Sequence, residues 1–366
     1  MLAGLMVLSC TMATPAPRAA RSGRPAAHEA SGDLAGPGLL ADSVPAAPRS
    51  QQWGIVDIGV DMRAQEALVD LGVGWVRVGL KLGEKGWTNK LAKIRQIAAE
   101  LQRAGVGVWL TLFHRDPTNI LENGTVGYAA TQRGGFPPAD PDRYQALVEK
   151  AVGRLARTLG RNGRDPGDWL IVQFGNEVNP RDFFPPDRAV RFWHGTGDQY
   201  LDMVVLGHEA VKRIDPNIGV ALGGISSGSM EQVQQGVSAA VSWNDRLLAE
   251  GNADWADVHL RHDLDQVGGK VGWVRRRWSG LLAATEIAGP DPRVVTWSEQ
   301  AQADDLSPRM RTARRRGVDL AFWASLIENP NVAPIFRREG LIERDTWRRK
   351  PAFGKYQRLI ARESEN

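Results

Sequence analysis

Two glutamates stand where short apolar segments of this 366-residue chain end. Glu177 follows the segment Trp169–Phe174, and Glu286 follows the segment Leu281–Thr285. A carboxylate beside buried apolar chain resists ionisation, so two such groups in different surroundings can have widely separated pKa values. One of them, protonated, could donate to a leaving oxygen while the other, ionised, attacks an anomeric carbon. This pairing suits the cleavage of a glycosidic bond.

The position of these glutamates carries the argument, because a dipeptide such as Asn176-Glu177 arises by chance about once in a chain of this length. A second glutamate in the equivalent place, three apolar segments later, strengthens it. Polar side chains also lie within the other apolar segments or just after them: Asp61, Arg77, His114, Arg115, Asp116, His259, Arg261, His262, Glu328 and Asn329. His114-Arg115-Asp116 could line a subsite or form a loop ion pair, and the sequence leaves both open.

From Trp53 onward, short apolar runs alternate with longer amphipathic stretches. The runs predict eight buried parallel strands, at Gly54–Gly59, Gly74–Leu80, Gly107–Phe113, Trp169–Phe174, Ile218–Leu222, Ala256–Leu260, Leu281–Thr285 and Val318–Trp323. Apolar residues at i, i+3 and i+4 predict helices between them, including Asn89–Ala104, Arg143–Leu159 and Gln199–Ile214.

Eight strand–helix units over roughly 300 residues predict an α/β fold, a (β/α)8 TIM barrel. The alternative is an open doubly wound sheet, which normally has a glycine-rich phosphate turn after its first strand. The first strand here ends in Ile58-Gly59-Val60-Asp61, without that turn. In a barrel the carboxyl ends of the strands share one face, so the polar residues named above are expected to meet there.

Several segments, in this order, resemble motifs of clan A glycoside hydrolases, the 4/7 superfamily. Ile171–Val178 resembles the fourth-strand Asn-Glu motif, Asp257–Leu260 the sixth-strand Asp-x-His pattern, and Ala284–Asp291 the seventh-strand Thr-Glu motif. Phe322–Leu326 resembles the eighth-strand segment with its Trp, and Gly340–Phe353 resembles the region that follows. The pattern is most similar to that of family 39 and family 5-like members. The order and spacing of the motifs are more specific than any single motif.

The resemblance covers about residues 53–360 and implies a retaining mechanism, with Glu177 as general acid/base and Glu286 as nucleophile. Asn176 would hydrogen-bond the 2-hydroxyl of the sugar, a contact that strengthens in the transition state. The resemblance also implies roles for Arg77, which would keep the nucleophile ionised, for His259, which would orient or polarise the centre, and for Trp323, which would form the floor of the sugar subsite.

The sequence departs from this pattern at two places. Arg261 stands where the clan often has a tyrosine that holds the nucleophile, and Ala288 stands where glycine is frequent. Arg261 could donate in place of the tyrosine, could indicate an acidic substrate, or could mark a damaged site. Glu299 is a rival nucleophile, but Ser298 before it predicts a helix start, so Glu286 is preferred.

Aromatic residues are unevenly used, with 13 Trp against 4 Tyr. Tryptophan can stack on sugars, but it also fills cores. Four aromatic residues in and just beyond the segment Val178–Asp198 could form a sugar platform or pack the loop: Phe183, Phe184, Trp193 and Tyr200.

Residues 1–17 predict an export signal, because a short apolar stretch ends at small residues. Val7-Leu8-Ser9-Cys10 resembles a bacterial lipobox, which implies a lipid anchor at Cys10. The alternatives are a plain secretory peptide or a misassigned start codon. Residues 18–50 predict a flexible Ala/Pro/Gly-rich tether, and residues 51–366 the catalytic (β/α)8 domain. The expected location is the cell envelope or outside the cell.

Charge and metal-ligand patterns exclude several classes of protein. A formal net charge of +4, from 46 basic and 42 acidic residues, is too small to indicate nucleic-acid binding. One cysteine excludes an intramolecular disulfide and a cysteine-based zinc site. His259 and His262 are three apart, which on a strand places them on opposite faces, so no metal site and no cofactor are expected.

The prediction is therefore a retaining glycoside hydrolase that cleaves a β-linked glycan, acting as a monomer on a carbohydrate substrate. The alternative is an inactive barrel that only binds glycans, for which Arg261 is the one argument in the sequence. A metal-dependent lyase or hydrolase lacks a cluster of ligands.

Overall fold

The computed structural model describes residues 52–56, 62–121, 134–184, 192–330 and 336–364. The predicted export signal, the lipobox with Cys10, the tether and Asp61 lie outside the described residues.

The predicted (β/α)8 barrel is confirmed. Eight parallel strands close into a barrel in which each strand pairs with its sequence neighbours and β1 pairs with β8. The strands are β1 Trp53–Val56, β2 Trp75–Leu82, β3 Gly107–His114, β4 Leu170–Phe174, β5 Gly219–Leu222, β6 Trp255–Asp257, β7 Leu281–Ile287 and β8 Leu320–Trp323. Each described strand overlaps its predicted segment. The sixth is shorter than predicted, and Val258 and Leu260 beyond it form only isolated bridges.

Helices surround the barrel in the described part of the chain. They are α1 Met62–Leu71, α2 Trp87–Arg103, α3 Pro141–Leu159, α4 Gly197–Ile214, α5 Ser227–Gln234, α6 Ser238–Glu250, α7 Val267–Arg275, α8 Glu299–Arg315 and α9 Pro351–Ser364. The three helices predicted from periodicity are confirmed to within two residues at each end. Among the described helices, none is both long enough and apolar enough to cross a membrane.

Side chains that cap the helices explain where they begin. The Asp140 carboxylate accepts a hydrogen bond from the Arg143 backbone at the start of α3. Thr196 and Gln199 form a reciprocal capping box at the start of α4. Ser298 caps α8 as predicted, which places Glu299 at the first position of that helix.

Two layers of side chains fill the barrel interior. The lower layer is apolar and includes Trp75, Trp109, Ile171, Trp255, Ala283 and Phe322. Because side chains on one face of a strand repeat every two residues, the next inward positions on five of the strands form an upper layer: Arg77, Thr111, Gln173, Asp257 and Thr285. All five of these polar side chains are buried. This polar layer is the floor on which the candidate site rests.

Candidate active site

A sharp turn after β4 presents Glu177. Gly175 has a φ of 80° and Glu177 a φ of 45°, both in the left-handed region. Glycine adopts this conformation at no steric cost, whereas a glutamate does so only where surrounding contacts hold it. The turn directs the Glu177 carboxylate toward His259, whose Nδ1 lies 2.9 Å from Glu177 Oε1.

An irregularity in β7 presents Glu286. The pairing register between β7 and β8 shifts between Ala284 and Ile287. A regular strand would point Thr285 and Glu286 to opposite faces. Here Thr285 is bonded to buried Asp257, and Glu286 also lies in the barrel mouth, where Arg77 Nη1 donates to its Oε1 at 2.9 Å.

The two predicted catalytic glutamates meet. One carboxylate oxygen of Glu177, one of Glu286 and one ring nitrogen of His259 all lie within 4.8 Å of one another. His259 Nδ1 is 3.6 Å from Glu286 Oε2, so the imidazole lies between the carboxylates. The sequence placed these residues at strand ends, and the closed barrel brings them together.

The cations around Glu286 decide its ionisation. Burial alone would raise its pKa, but His259, Arg261 and Arg77 together hold the pKa of this carboxyl well below its usual range. Burial opposes the charge of His259, yet Glu286, Asp257 and Glu177 raise the pKa of His259 to about 10. At neutral pH the site therefore contains an ionised Glu286 next to a protonated imidazole.

A buried hydrogen-bond network fixes the residues beneath the carboxylates. Gln173 Oε1 accepts from Arg77 Nη2 at 2.9 Å and from Thr111 at 2.8 Å. The other end of the same amide donates to Asp257 at 2.6 Å. Asp257 also accepts from the backbone of Thr285 at 2.8 Å. The network therefore connects β2 to β7 and orients both Arg77 and the strand that carries Glu286.

His259 fits against a glycine on the side away from the carboxylates. A Cβ at Gly224 would lie 2.4 Å from His259 Nε2 and 2.8 Å from Asp257 Oδ2, so only glycine fits without displacing these groups. His259 Nε2 makes no hydrogen bond among the described residues, and Asp257 Oδ2 lies 3.7 Å away. Sequence reasoning missed both Gly224, which belongs to no motif, and Gln173, which lies in the fourth-strand segment but was given no role.

Asn176 lies beside Glu177 in the same turn. Its side-chain oxygen accepts a hydrogen bond from Arg77 Nη2. Arg77 therefore bonds to both Asn176 and Glu286, which makes it a common support for two of the predicted site residues.

Arg261 donates to the nucleophile candidate, as the first of the three interpretations of this residue predicts. Its Nη2 donates to Glu286 Oε2 at 3.0 Å. Its Nη1 donates to Glu339, a residue that sequence reasoning missed. Burial raises the pKa of Glu339 to about 7, although Arg261 lowers it. The sequence signal that could have pointed to Glu339 was Arg261, because a buried guanidinium requires a carboxylate nearby.

Two predicted substrate contacts need correction. Trp323 is fully buried and donates from its indole to the Glu339 carbonyl at 3.1 Å, so it supports the Glu339 loop and offers no open face to a sugar. His114 is buried at the end of β3, where its Nδ1 lies 2.9 Å from the Phe136 carbonyl oxygen and its ring packs against Tyr144. Burial lowers its pKa.

Several open alternatives are also decided. The loop ion-pair interpretation fits the third strand end, because Asp116 pairs with Arg143 at 2.8 Å and Arg115 with Glu84 at 3.3 Å. The loop-packing interpretation fits the aromatic residues after β4, since Trp193 and Tyr200 are buried and Phe183 packs beside Trp243. The rival Glu299 lies outside the carboxylate pair and bonds to Arg348.

Glu177, His259 and Glu286 are also close enough to be considered as metal ligands within the described residues. Their electrostatics do not suit a cation. Arg77 and Arg261 each donate to one oxygen of Glu286, and the raised pKa of His259 keeps a proton on the nitrogen that a metal would need.

No protein-family model matches the sequence, and a search of curated proteins finds no match. The fold is similar to that of a family 39 glycoside hydrolase from the gut symbiont Bacteroides cellulosilyticus, with a TM-score of 0.56 and 12% identity. That similarity covers 87% of this chain and 65% of the other, so the chain spans just under two thirds of the Bacteroides protein.

Two further structures have similar folds. A GH5_18 variant from Streptomyces cattleya, in complex with Manβ1-4GlcNAc, gives a TM-score of 0.63 at 13% identity over 85% of this chain and 80% of the other. Fungal β-1,4-galactanases give 0.57 at 14% identity over 80% and 90%. The resemblance to clan A barrels is thus confirmed for the fold, which is all that identities this low establish.

The raised pKa of His259 predicts how stability depends on pH. Its folded-state pKa of about 10 exceeds its ordinary value of 6.5, so its contribution is complete below 6.5 and is lost as the pH rises through 10. His259→Gln should therefore reduce the loss of unfolding free energy between about pH 6 and about pH 10 by roughly 2 kcal/mol or more. Urea unfolding at both pH values measures this difference.

His208→Gln is the control, because burial lowers the pKa of His208 and no alkaline loss is expected from it. If the parent and His259→Gln lose equal stability over this range, then His259 is not held protonated by the carboxylates.

Proposed function

We propose that this chain is a retaining glycoside hydrolase that cleaves O-glycosidic bonds of a β-linked glycan by double displacement. The observation that carries the proposal is the approach of Glu177 and Glu286, with carboxylate oxygens within 4.8 Å. Retaining enzymes separate their carboxyl groups by about 5–5.5 Å, whereas inverting enzymes leave about 6.5–9.5 Å for a water. The similar structures include β-1,4-galactanases and a complex with Manβ1-4GlcNAc, which supports a β-linked substrate for this chain.

Glu286 is the proposed nucleophile, because the surrounding cations keep it ionised at neutral pH. Hydrogen bonds from Arg77 at 2.9 Å and Arg261 at 3.0 Å hold its two oxygens separately, so the carboxylate has a fixed orientation. Its attack on the anomeric carbon forms a covalent glycosyl-enzyme and cleaves the bond to the leaving oxygen.

Glu177 is the proposed acid/base. It donates a proton to the leaving oxygen in the first step and accepts one from water in the second. His259 Nδ1 lies 2.9 Å from Glu177 Oε1 and holds this carboxyl group in place for both steps.

Asn176 is the proposed contact for the 2-hydroxyl of the sugar. Its side-chain oxygen already accepts from Arg77, so its amide nitrogen is the group that would donate to the substrate. A hydrogen bond to this hydroxyl gains strength as positive charge develops on the sugar ring, which lowers the barrier rather than tightening ground-state binding.

The alternative of an inactive glycan-binding barrel rests on Arg261 alone. Arg261 donates to Glu286 at 3.0 Å, which is also what an active site needs from this position. A metal-dependent reaction predicts loss of activity with chelators, and the proposed mechanism predicts no such loss.

Replacing Glu286 should abolish turnover, because Glu286 is the carboxylate proposed to attack the anomeric carbon. We expect Glu286→Ala to lower kcat/KM on an aryl β-glycoside by about 10⁴-fold or more. Glu299→Ala is the matched control and should keep near-parent rates, since Glu299 pairs with Arg348. Initial rates on a panel of nitrophenyl glycosides measure both variants and identify the sugar.

The opposite pattern, a dead Glu299→Ala and an active Glu286→Ala, would contradict the assignment. Covalent labelling by a 2-fluoro glycosyl fluoride, followed by peptide mass spectrometry, should place the label on Glu286.

Replacing Glu177 should separate the two chemical steps. With an activated aryl glycoside the first step needs little acid assistance, so Glu177→Gln should slow mainly deglycosylation, by about 10²–10⁴-fold. A burst of released phenol in stopped-flow measurements checks this. Azide attacks the glycosyl-enzyme without a general base, so it should restore the steady-state rate. If neither the burst nor the azide rescue is observed, Glu177 is not the acid/base.

We further propose that the chain is exported, through residues 1–17, with a lipid at Cys10 if the lipobox is used. Fractionation of a bacterial host and the intact mass of the mature protein test this. An unprocessed N-terminus in the cytoplasm would contradict export, and a processed but unlipidated chain would contradict the anchor alone.

A further inference from the structure

The Arg261 guanidinium lies between two carboxylates from different parts of the barrel face. Nη2 donates to Glu286 at 3.0 Å, and Nη1 donates to Glu339. The guanidinium also packs over the Phe336 ring, 4.7 Å from its centroid. The side chains of Arg261, Glu286 and Glu339 are 15%, 15% and 11% exposed, so these are fixed contacts with little solvent screening.

The backbone of Glu339 is held independently of its side chain. Its carbonyl oxygen accepts from Trp323 Nε1 at 3.1 Å and from Gln302 Nε2 at 2.7 Å. Residues on β8 and α8 therefore hold the loop so that the Glu339 carboxylate reaches Arg261. These two hydrogen bonds from buried donors fix the position of Glu339 relative to Arg261.

The charge of Glu339 offsets part of the charge of Arg261. Arg77, Arg261 and His259 carry positive charge, and they contact Glu286, Glu339 and Asp257. Without the Glu339 charge, Arg261 would give its full attraction to Glu286, and an over-stabilised carboxylate is a weaker nucleophile because its charge is lost in the transition state.

We propose that Glu339 is a positioning residue that divides the charge of Arg261 and thereby keeps Glu286 reactive. The proposal rests on the proposed function, since it takes Glu286 as the nucleophile. Glu339 contacts no reacting atom in it and acts only through Arg261.

Protonation of Glu339 should have the same effect as its removal. The charged groups that face Glu339 among the described residues are Arg261, Glu286 and Arg309, and burial raises its pKa to about 7. As the pH falls through this value, Glu339 takes up a proton and Arg261 acts on Glu286 alone. The rate of glycosylation should therefore fall on the acid side of neutrality, well above the pH at which Glu286 itself is protonated.

Glu339→Gln tests this in the full chain. We expect kcat/KM of the parent to fall by about tenfold below neutral pH, the effect of one pKa unit in the interaction with Glu286. Glu339→Gln should show the lower rate at every pH, without that acid limb. Glu231→Gln is the matched control, because Glu231 pairs with Arg293 and His262 away from Glu286, and it should keep the parent profile.

A double-mutant cycle tests whether Glu339 acts through Arg261. In an Arg261→Gln background, Glu339→Gln should change kcat/KM by less than about twofold. Glu339→Asp should restore part of the acid limb, because it keeps the charge. An acid limb that persists in Glu339→Gln, or an equal effect of that variant in both backgrounds, would overturn the proposal.

Thermal unfolding separates this proposal from the proposed function, because it needs no substrate. The folded-state pKa of Glu339, about 7, exceeds its ordinary value of 4.5, so its stabilising contribution is lost as the pH rises through 7. The Tm of Glu339→Gln relative to the parent should therefore rise by a few degrees from acid to neutral pH.

If no glycoside is turned over but this Tm difference appears and Arg261→Gln shifts it to higher pH, because Arg261 lowers the pKa of Glu339, the charge sharing stands and the enzymatic proposal fails. If the Tm difference has the same pH dependence in an Arg261→Gln background, Arg261 does not share its charge with Glu339 and the proposal is overturned.

Discussion

Glu286 is a carboxylate removed from most of the solvent, and the cost of burying its charge governs the arrangement of the site. An ionised carboxylate in the interior loses several kcal/mol of hydration unless cations and hydrogen bonds replace the water. Arg77 and Arg261 each bind one of its oxygens, and His259 lies 3.6 Å away. Arg77 lies on β2 and the other two follow β6, so the closed barrel is what brings these cations together around a residue of β7.

The polar layer inside the barrel makes this pairing rigid. Gln173 accepts from Arg77 and donates to Asp257, and Asp257 accepts from Thr285, the residue before Glu286. Buried networks of this kind are favourable only when every member has a partner. A shift of any one member would disturb both the arginine and the strand that carries the nucleophile candidate. The apolar layer that contains Trp75, Trp109 and Trp255 packs beneath the network and supports it.

The arginine at position 261 makes the loops after β6 and β8 depend on each other. A neutral donor could hold Glu286 without a counter-charge, whereas a buried guanidinium needs one. Glu339 supplies it from a loop that Trp323 and Gln302 hold by its backbone. Trp323 therefore serves the site from beneath, through a loop residue, although it does not face the cavity.

The sequence determined the features that local patterns encode. Apolar runs and helical periodicity predicted the strand order and the barrel. They also placed Glu177, Glu286, Arg77 and His259 at its carboxyl face. These features could be predicted because a strand or helix is encoded by the pattern of apolar residues within one short segment. Tertiary structure alone decided the register shift that turns Glu286 inward, the burial of Trp323 and the pairing of Arg261 with Glu339, 78 residues apart. Such contacts depend on loop conformations set by distant residues, and no local pattern in the chain records them.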